Sequence, residues 1–161
     1  MSNKSGLSIH RLEKIEKQII NQKLKLLDEY FTFNEISFNF DYLIKLNKFL
    51  FEDIYYNDIK TCRNLSREEY SIIEKKIRMI VNHCIENPVP IDSVLDLICE
   101  IWDLQPFLVG NTRTMLGFLK VLNCAFLLNL DVDIDKKITS NSRMFDLNEK
   151  IVNQKRLTKN N

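Results

Sequence analysis

Apolar side chains recur every three or four residues along almost all of this chain, and this period constrains the fold more than any other feature. Such spacing places apolar side chains on one face of a helix, whereas a strand would need strict alternation. Glycine and proline, which interrupt helices most strongly, number only three each among 161 residues. The pattern therefore predicts an all-α protein of about six helices without a strand.

Two helices are predicted in the N-terminal third of the chain. The first spans 8–31, where one apolar stripe runs between lysines and glutamates. The polar stretch 32–40 predicts a loop, after which Asp41 is the expected N-cap of a second helix that reaches Tyr55. The stripe of the first helix consists of Leu12, Ile15, Ile19, Leu24, Leu27 and Phe31.

Two further helices with clear boundary signals are predicted in the middle of the chain. Ser66 and Glu69 have the spacing of a capping box, in which each side chain binds the backbone N–H of the other residue. The third helix therefore starts at Ser66 and is stopped by Pro88. A fourth helix is predicted over 91–104, with Trp102 on its buried face.

A fifth helix is predicted over about 112–128, and it is apolar on nearly all faces. A helix of this kind is buried by its neighbours, so it is expected at the centre of the domain. A last helix is predicted to begin near Ser140 or Ser142 and to carry an apolar face that ends at Val152.

Size and charge set broad limits on function. The length predicts one domain, 1–161, with flexible tails at 1–7 and 153–161. Lys plus Arg total 23 and Asp plus Glu total 22, so the net charge of +1 gives no reason to expect nucleic acid as a partner. No stretch of about 18 residues is apolar and uncharged, and the N-terminus lacks a signal-peptide pattern, so a cytoplasmic protein without a membrane span is expected.

The four cysteines do not have the spacing of a metal site. Cys62, Cys84, Cys99 and Cys124 form no CxxC pair, and His10 and His83 are the only histidines in the chain. A structural zinc site needs four thiolate or imidazole ligands, usually in close pairs. We therefore expect buried, reduced thiols in the core and no metal.

One short loop concentrates the residues that interrupt helices. Pro106 and Gly110 lie just before Asn111, Arg113 and the apolar fifth helix. Unpaired N–H groups at a helix start, a glycine that permits close approach and a forked guanidinium together can hold a phosphate. An ordinary turn and N-cap, with a solvated arginine, would give the same residues, so both interpretations stay open.

The loop QPFLVGNTRT, 105–114, resembles the signature of the Fic (Fido) family, His-Pro-Phe-x-Asp/Glu-Gly-Asn-Gly/Lys-Arg-x-x-Arg. The stretch FDYLIKLNKFLFEDIYY, 40–56, also resembles the family's helix before the flap. The resemblance covers roughly 35–135, and a flap of about ten residues, 56–65, is shorter than in the family. The residues that match the signature in register are Pro106, Phe107, Gly110, Asn111 and Arg113.

The resemblance implies chemistry for specific positions. Family members transfer AMP from ATP, or a related phosphate-linked group, to a hydroxyl on a target protein. Their loop histidine is the general base, their acidic residue holds a divalent metal, and the following residues cradle the phosphates. The resemblance therefore implies that Gly110, Asn111, Thr112 and Arg113 bind the nucleotide.

The chain departs from the family pattern at the positions that react. The base position is Gln105, whose amide cannot take a proton near neutral pH, and loss of a general base typically costs about 10²–10⁴ in rate. The metal position is Val109, which offers magnesium no side-chain oxygen, and the second arginine position is Leu116. Transfer activity is therefore expected to be impaired or absent, with ATP as the candidate ligand and no metal held.

Two functions of different classes stay open. The first is a Fic-like domain that binds a nucleotide but transfers AMP poorly or not at all. The second is a non-catalytic protein-interaction or regulatory module, toxin–antitoxin-like or homodimeric, that binds no nucleotide. A third hypothesis keeps adenylylation through different residues. A protein target or regulatory partner is expected in each case, and the sequence does not set the oligomeric state.

Overall fold

The computed structural model describes residues 9–32, 37–54 and 61–130. Within these ranges the chain forms five α-helices and no β-strand, which confirms the predicted all-α class for this part of the chain. None of these helices is long and apolar enough to cross a lipid bilayer. The predicted last helix and both predicted tails lie outside the described residues. The helices are α1 (Ile9–Thr32), α2 (Phe40–Phe51), α3 (Arg67–Cys84), α4 (Ile91–Asp103) and α5 (Asn111–Phe126).

Helix α5 lies at the centre, because it packs against α1, α2 and α4. All side chains over 114–119 are buried, so every face of the helix is covered there. Gly117 brings α1 close, since a Cβ at this position would lie 3.2 Å from Cδ2 of Leu24. The predicted central helix is confirmed, although it ends two residues early, at Phe126, because Leu127 takes a left-handed conformation.

Local hydrogen bonds define where helices begin. The predicted capping box of α3 is confirmed, with Glu69 N donating to Ser66 Oγ at 3.1 Å and Ser66 N donating to Glu69 Oε1 at 3.2 Å. The predicted N-cap of α2 is wrong, because Asn39 holds that place and its Oδ1 accepts from Tyr42 N at 2.8 Å. Asp41 lies in the first turn instead, where the helix dipole favours a carboxylate.

The buried face of α1 matches the predicted stripe only in part. Leu24 and Leu27 of the stripe are buried together with Ile20, whereas Ile15 of the stripe is 37% exposed. Lys23 is also buried, although a pattern of apolar residues assigns lysine to the surface. The sequence pattern therefore missed a paired lysine on the face that packs inward.

Lys23 joins α1 to the end of α2. Its Nζ donates to the carbonyl of Phe49 and lies 2.9 Å from Oδ2 of Asp53. A cation at this end is favoured by the helix dipole and by the last carbonyls, which lack intrahelical partners. Helix α2 ends at Phe51, earlier than the predicted end at Tyr55.

Candidate functional site

The loop between α4 and α5, residues 104–110, contains most of the residues singled out by the sequence. Gln105, at the position of the family base, is exposed and has a positive φ of 46°. Its backbone N–H and its Nε2 both donate to the carbonyl of Trp102, at 2.9 and 2.8 Å. The Gln105 amide therefore closes the end of α4, where helix carbonyls need donors.

Asn111, the first residue of α5, braces the loop with its side chain. Its Oδ1 accepts from Phe107 N at 2.9 Å, and its Nδ2 donates to Phe107 O at 2.9 Å and to Gln105 Oε1 at 3.2 Å. Both ends of the amide are thus engaged by the chain itself. Any contact of Asn111 with a ligand would go through its backbone N–H.

Gly110 is required by both conformation and space. It precedes α5 with φ 74° and ψ 30°, in the left-handed region that glycine occupies readily. A Cβ at this position would lie 2.0 Å from Cε2 of Phe51, the last residue of α2. The start of α5 therefore packs directly on the end of α2, and the expected close backbone approach at Gly110 is made by the protein's own aromatic ring.

Two buried groups anchor the loop to the core. Asn47 of α2 is 1% exposed, and its Nδ2 donates to Val109 O and to Thr114 Oγ1, both at 2.9 Å. Phe107 is buried as expected, and its ring stacks on Phe40 with centroids 6.1 Å apart. Both contacts tie the loop to α2 and its first residue.

The segment Thr61–Arg63, which we call the strap, runs antiparallel to the loop. Arg63 N donates to Pro106 O, and Leu108 N donates to Thr61 O, both at 3.0 Å. The strap is the described end of the connection between α2 and α3, where the family resemblance places a shortened flap. Its backbone covers one side of the loop.

The first turn of α5 has donors that the described residues leave unused. The backbone N–H groups of Asn111, Thr112 and Arg113 have no hydrogen-bond acceptor in the described ranges. Unpaired N–H groups and the helix dipole make this end electropositive. The hydroxyl of Thr112 is engaged differently, because it accepts from Nε1 of Trp102 at 2.9 Å. Trp102 is half-buried rather than fully buried as predicted, since this bond holds its indole beside the loop.

Arg113 lies in the same turn and is half-buried. Burial lowers the pKa of its guanidinium, and the carboxylate of Glu16 on α1 partly opposes that shift. The group remains a cation at neutral pH, because a guanidinium is effectively never deprotonated in proteins. No acceptor of a hydrogen bond or partner of an ion pair contacts it within the described part of the chain. The first turn of α5 thus contains the residue of a partly desolvated cation and three unused N–H donors.

The residues present do not fit a phosphate-bound magnesium ion. Val109 offers an isopropyl group, and its carbonyl oxygen accepts from Asn47. Across residues 9–32, 37–54 and 61–130, no group of three or more His, Cys, Asp or Glu side chains could hold a metal. Leu116, at the position of the family's second arginine, is 2% exposed in the core, where it offers a phosphate no charge.

The cysteines differ from the prediction in their burial. All four are thiols. Burial raises the pKa of Cys84 to about 11, and burial followed by nearby acidic residues raises the pKa of Cys99 to about 11. Cys62 and Cys99 are only half-buried and Cys124 is exposed, so the expectation of four core thiols is wrong. The C-terminal turns of α5 leave the core, which the apolar sequence of this helix does not show.

Two residues that organise the loop were missed from the sequence. Asn47 could have been identified from the sequence, because it occupies a core-facing position in an apolar stripe. A buried amide at such a position needs hydrogen-bond partners. Arg63 gave no such signal, since it lies in a connection without helical period. The partners through which they hold the loop and the start of α5 are 41 to 67 residues away along the chain, beyond the reach of local patterns.

The site therefore consists of a loop held by its own hydrogen bonds and a first helical turn with a cation and unused donors. Its likeness to the Fic signature rests on the sequence patterns at 40–56 and 105–114. No protein-family model matches this chain, and no curated protein sequence matches it.

Proposed function

We propose that this chain is a Fic-like domain that binds a phosphate group at the start of α5 and no longer transfers AMP. The observation that carries the proposal is the half-buried Arg113 guanidinium, which has no acceptor among the described residues, in one turn with the unpaired N–H groups of Asn111 and Thr112. A phosphate offers acceptors to both kinds of donor and is favoured by both positive charges. ATP is the candidate ligand, because the resemblance is to enzymes that use it.

The loss of transfer is supported by what the base position does. The Gln105 amide donates to Trp102 O and accepts from Asn111 Nδ2. It cannot accept a proton as a base does, and both of its ends are already engaged by the chain. Absence of the base alone typically costs about 10²–10⁴ in rate. Val109 stands where a carboxylate would hold the metal, and the buried Leu116 stands where a second arginine would be. The charge that develops on the phosphates during transfer would therefore lack both the metal ion and this arginine.

Binding is tested by titrating isotope-labelled protein with inorganic phosphate, ADP and ATP, with and without magnesium. We expect the amide resonances of residues 111–113 to shift and magnesium to leave the affinity unchanged. Arg113→Ala removes the fork and should weaken phosphate binding about tenfold or more. Arg78→Ala is the matched control, because Arg78 is exposed on α3. Shifts that avoid 111–113, or equal losses in both variants, would contradict the proposal.

Transfer is tested by incubating the protein with ATP labelled on the α-phosphate and measuring AMP on protein. We expect none above background, and metal-dependent transfer at an ordinary enzymatic rate would sink the claim of inactivity. The double variant Gln105→His and Val109→Glu restores a base and a metal ligand. It should gain magnesium-dependent ATP affinity while transfer stays undetected, because position 116 still lacks the second arginine.

A second function, an interaction module without nucleotide, is favoured by the internal use of the loop's polar groups. The side chains of Asn111, Thr112 and Thr114 all bond within the chain. If the loop only shapes a surface, phosphate will cause no shifts at 111–113. Sedimentation velocity that shows a homodimer under the same conditions would then favour this function over phosphate binding.

A further inference from the structure

The side chain of Arg63 makes three hydrogen bonds to the loop, as many as the side chain of Asn111. Its Nε donates to Leu104 O at 3.1 Å and to Gln105 O at 3.0 Å, and its Nη2 donates to Leu104 O at 2.8 Å. Its Nη1 donates to Asn64 O at 3.1 Å, and its Nη2 also pairs with Glu69. One guanidinium thus joins the strap to the first two carbonyls of the loop.

The same guanidinium is fixed from the side of α3. The Glu69 carboxylate that it binds is also the reciprocal member of the capping box, because Oε1 accepts from Ser66 N. The bond from Arg63 is the main reason why the pKa of Glu69 is lowered, with the Ser66 N–H as the next cause. A carboxylate that stays ionised gives Arg63 a charged partner with a set position.

The contacts of Arg63 lead through Gln105 to the first turn of α5. Gln105 has a positive φ, which is disfavoured for a residue with a side chain, and Arg63 holds the carbonyls on both sides of that residue's Cα. In this conformation Gln105 Oε1 accepts from Asn111 Nδ2 at 3.2 Å. The backbone N–H of Asn111 is the first of the unpaired donors of α5.

We propose that Arg63 is a positioning residue for the phosphate site: through Gln105 and Asn111 it holds the loop so that the N–H groups of 111–113 stay open to an anion. The proposal rests on the proposed function, because it names what keeps that same site in its binding geometry. Arg63 does not touch the anion. Its effect passes through the loop, so it should alter affinity without contributing a donor of its own.

The test compares Arg63→Ala with Lys76→Ala, in full-length protein and well below the melting temperature of each variant. Lys76 of α3 pairs with Glu100 of α4 at 2.9 Å, so its loss removes an exposed contact between these helices without touching the loop. Inorganic phosphate is the probe, followed at the amide resonances of 111–113. Arg63→Ala should weaken phosphate binding about tenfold, whereas Lys76→Ala should leave it unchanged.

Hydrogen exchange gives a second readout that needs no ligand. The amides of Phe107 and Leu108 should exchange about tenfold faster in Arg63→Ala and at the wild-type rate in Lys76→Ala. Arg63→Lys keeps a single charged group and should give values between wild type and Arg63→Ala for both phosphate affinity and exchange rate. If Arg63→Ala does not fold, Arg63→Lys alone provides the comparison. Unchanged affinity and exchange in the Arg63 variants overturn the positioning role. A wild-type protein without phosphate binding overturns the proposed function itself, whatever the exchange rates show.

Discussion

The two ends of α5 differ in how their neighbouring polar groups are hydrogen-bonded. At the C-terminal end one side chain closes the backbone, since Asn123 Nδ2 donates to Leu130 O and Asn123 Oδ1 accepts from Leu130 N, both at 2.9 Å. At the N-terminal end Gly110 supplies no side-chain cap, and the N–H groups of 111–113 find no acceptor in the described ranges. The C-terminal end is tied to the segment that follows it, whereas the N-terminal end has donors that no described residue uses.

The charge at the N-terminal end sharpens the contrast. A cation near a helix N-terminus opposes the dipole and costs about 0.3–1 kcal/mol, so Arg113 is placed against the usual preference. The negative charge of Glu16 on α1 partly offsets that cost. A helix start that is both uncapped and cationic becomes favourable once an anion binds, which supports the proposed phosphate site at this end.

The largest expected effect on stability comes from adding a side chain at Gly110, just before α5. Gly110→Ala should lower the free energy of unfolding by about 2–4 kcal/mol, because the new methyl group overlaps Phe51 and alanine disfavours the left-handed φ. Urea unfolding followed by circular dichroism measures the loss. The double variant with Phe51→Ala removes the overlap, so it separates the steric part from the conformational part. A Gly110→Ala protein as stable as wild type would show that the two helices do not meet as described.

Removing the side chain of Asn123 at the C-terminal end of α5 should have a smaller effect on stability. Asn123→Ala deletes both bonds to Leu130 and should cost about 1–3 kcal/mol in the free energy of unfolding. Phosphate affinity should be unaffected, since the site is at the opposite end of the helix. Asn111→Ala is the comparison, because it should cost a similar amount and also weaken phosphate binding. If both variants changed phosphate affinity equally, the two ends would not be functionally distinct.

The residue that ends α5 offers a gain in stability. Leu127 is 86% exposed and takes φ 52° and ψ 49°, a conformation in which glycine is preferred. Leu127→Gly should raise the free energy of unfolding by about 0.4–1 kcal/mol, because relief of strain exceeds the added freedom of the unfolded chain. Thermal unfolding measures the shift, and Leu127→Ala is the control without gain. A loss of stability in the glycine variant would mean that the exposed leucine makes a contact at this end.

The smallest effect concerns the support of the N-terminal end and depends on pH. Arg63 lowers the pKa of Glu69, so folding is stabilised while the carboxylate is ionised in both states, and that contribution is lost as the pH falls through the lowered value. The difference in stability between wild type and Glu69→Gln should therefore shrink as the pH drops below about 4.3, the ordinary pKa of a glutamate. A difference that stays constant from neutral to acidic pH would contradict the pairing.

The sequence was sufficient for features that depend on neighbours along the chain. The burial of α5 followed from its largely apolar sequence, and the capping box followed from two residues three apart. The predicted stripe of α1 missed Lys23, whose partners lie at the end of α2 and just beyond it. The loop network could not be predicted, because Asn47 and Arg63 reach it from distant segments whose placement only the folded chain determines.

The burial of Leu116 bears on how readily substitutions could give this loop AMP-transfer chemistry. Gln105 is exposed and Val109 half-buried, so histidine and glutamate can be introduced there with little disturbance of the core. An arginine at position 116 would have to bury a charge without a partner, which costs several kcal/mol and approaches the whole stability of a small domain. An arginine at position 116 would thus require repacking of the core beneath the loop, which neither Gln105→His nor Val109→Glu requires.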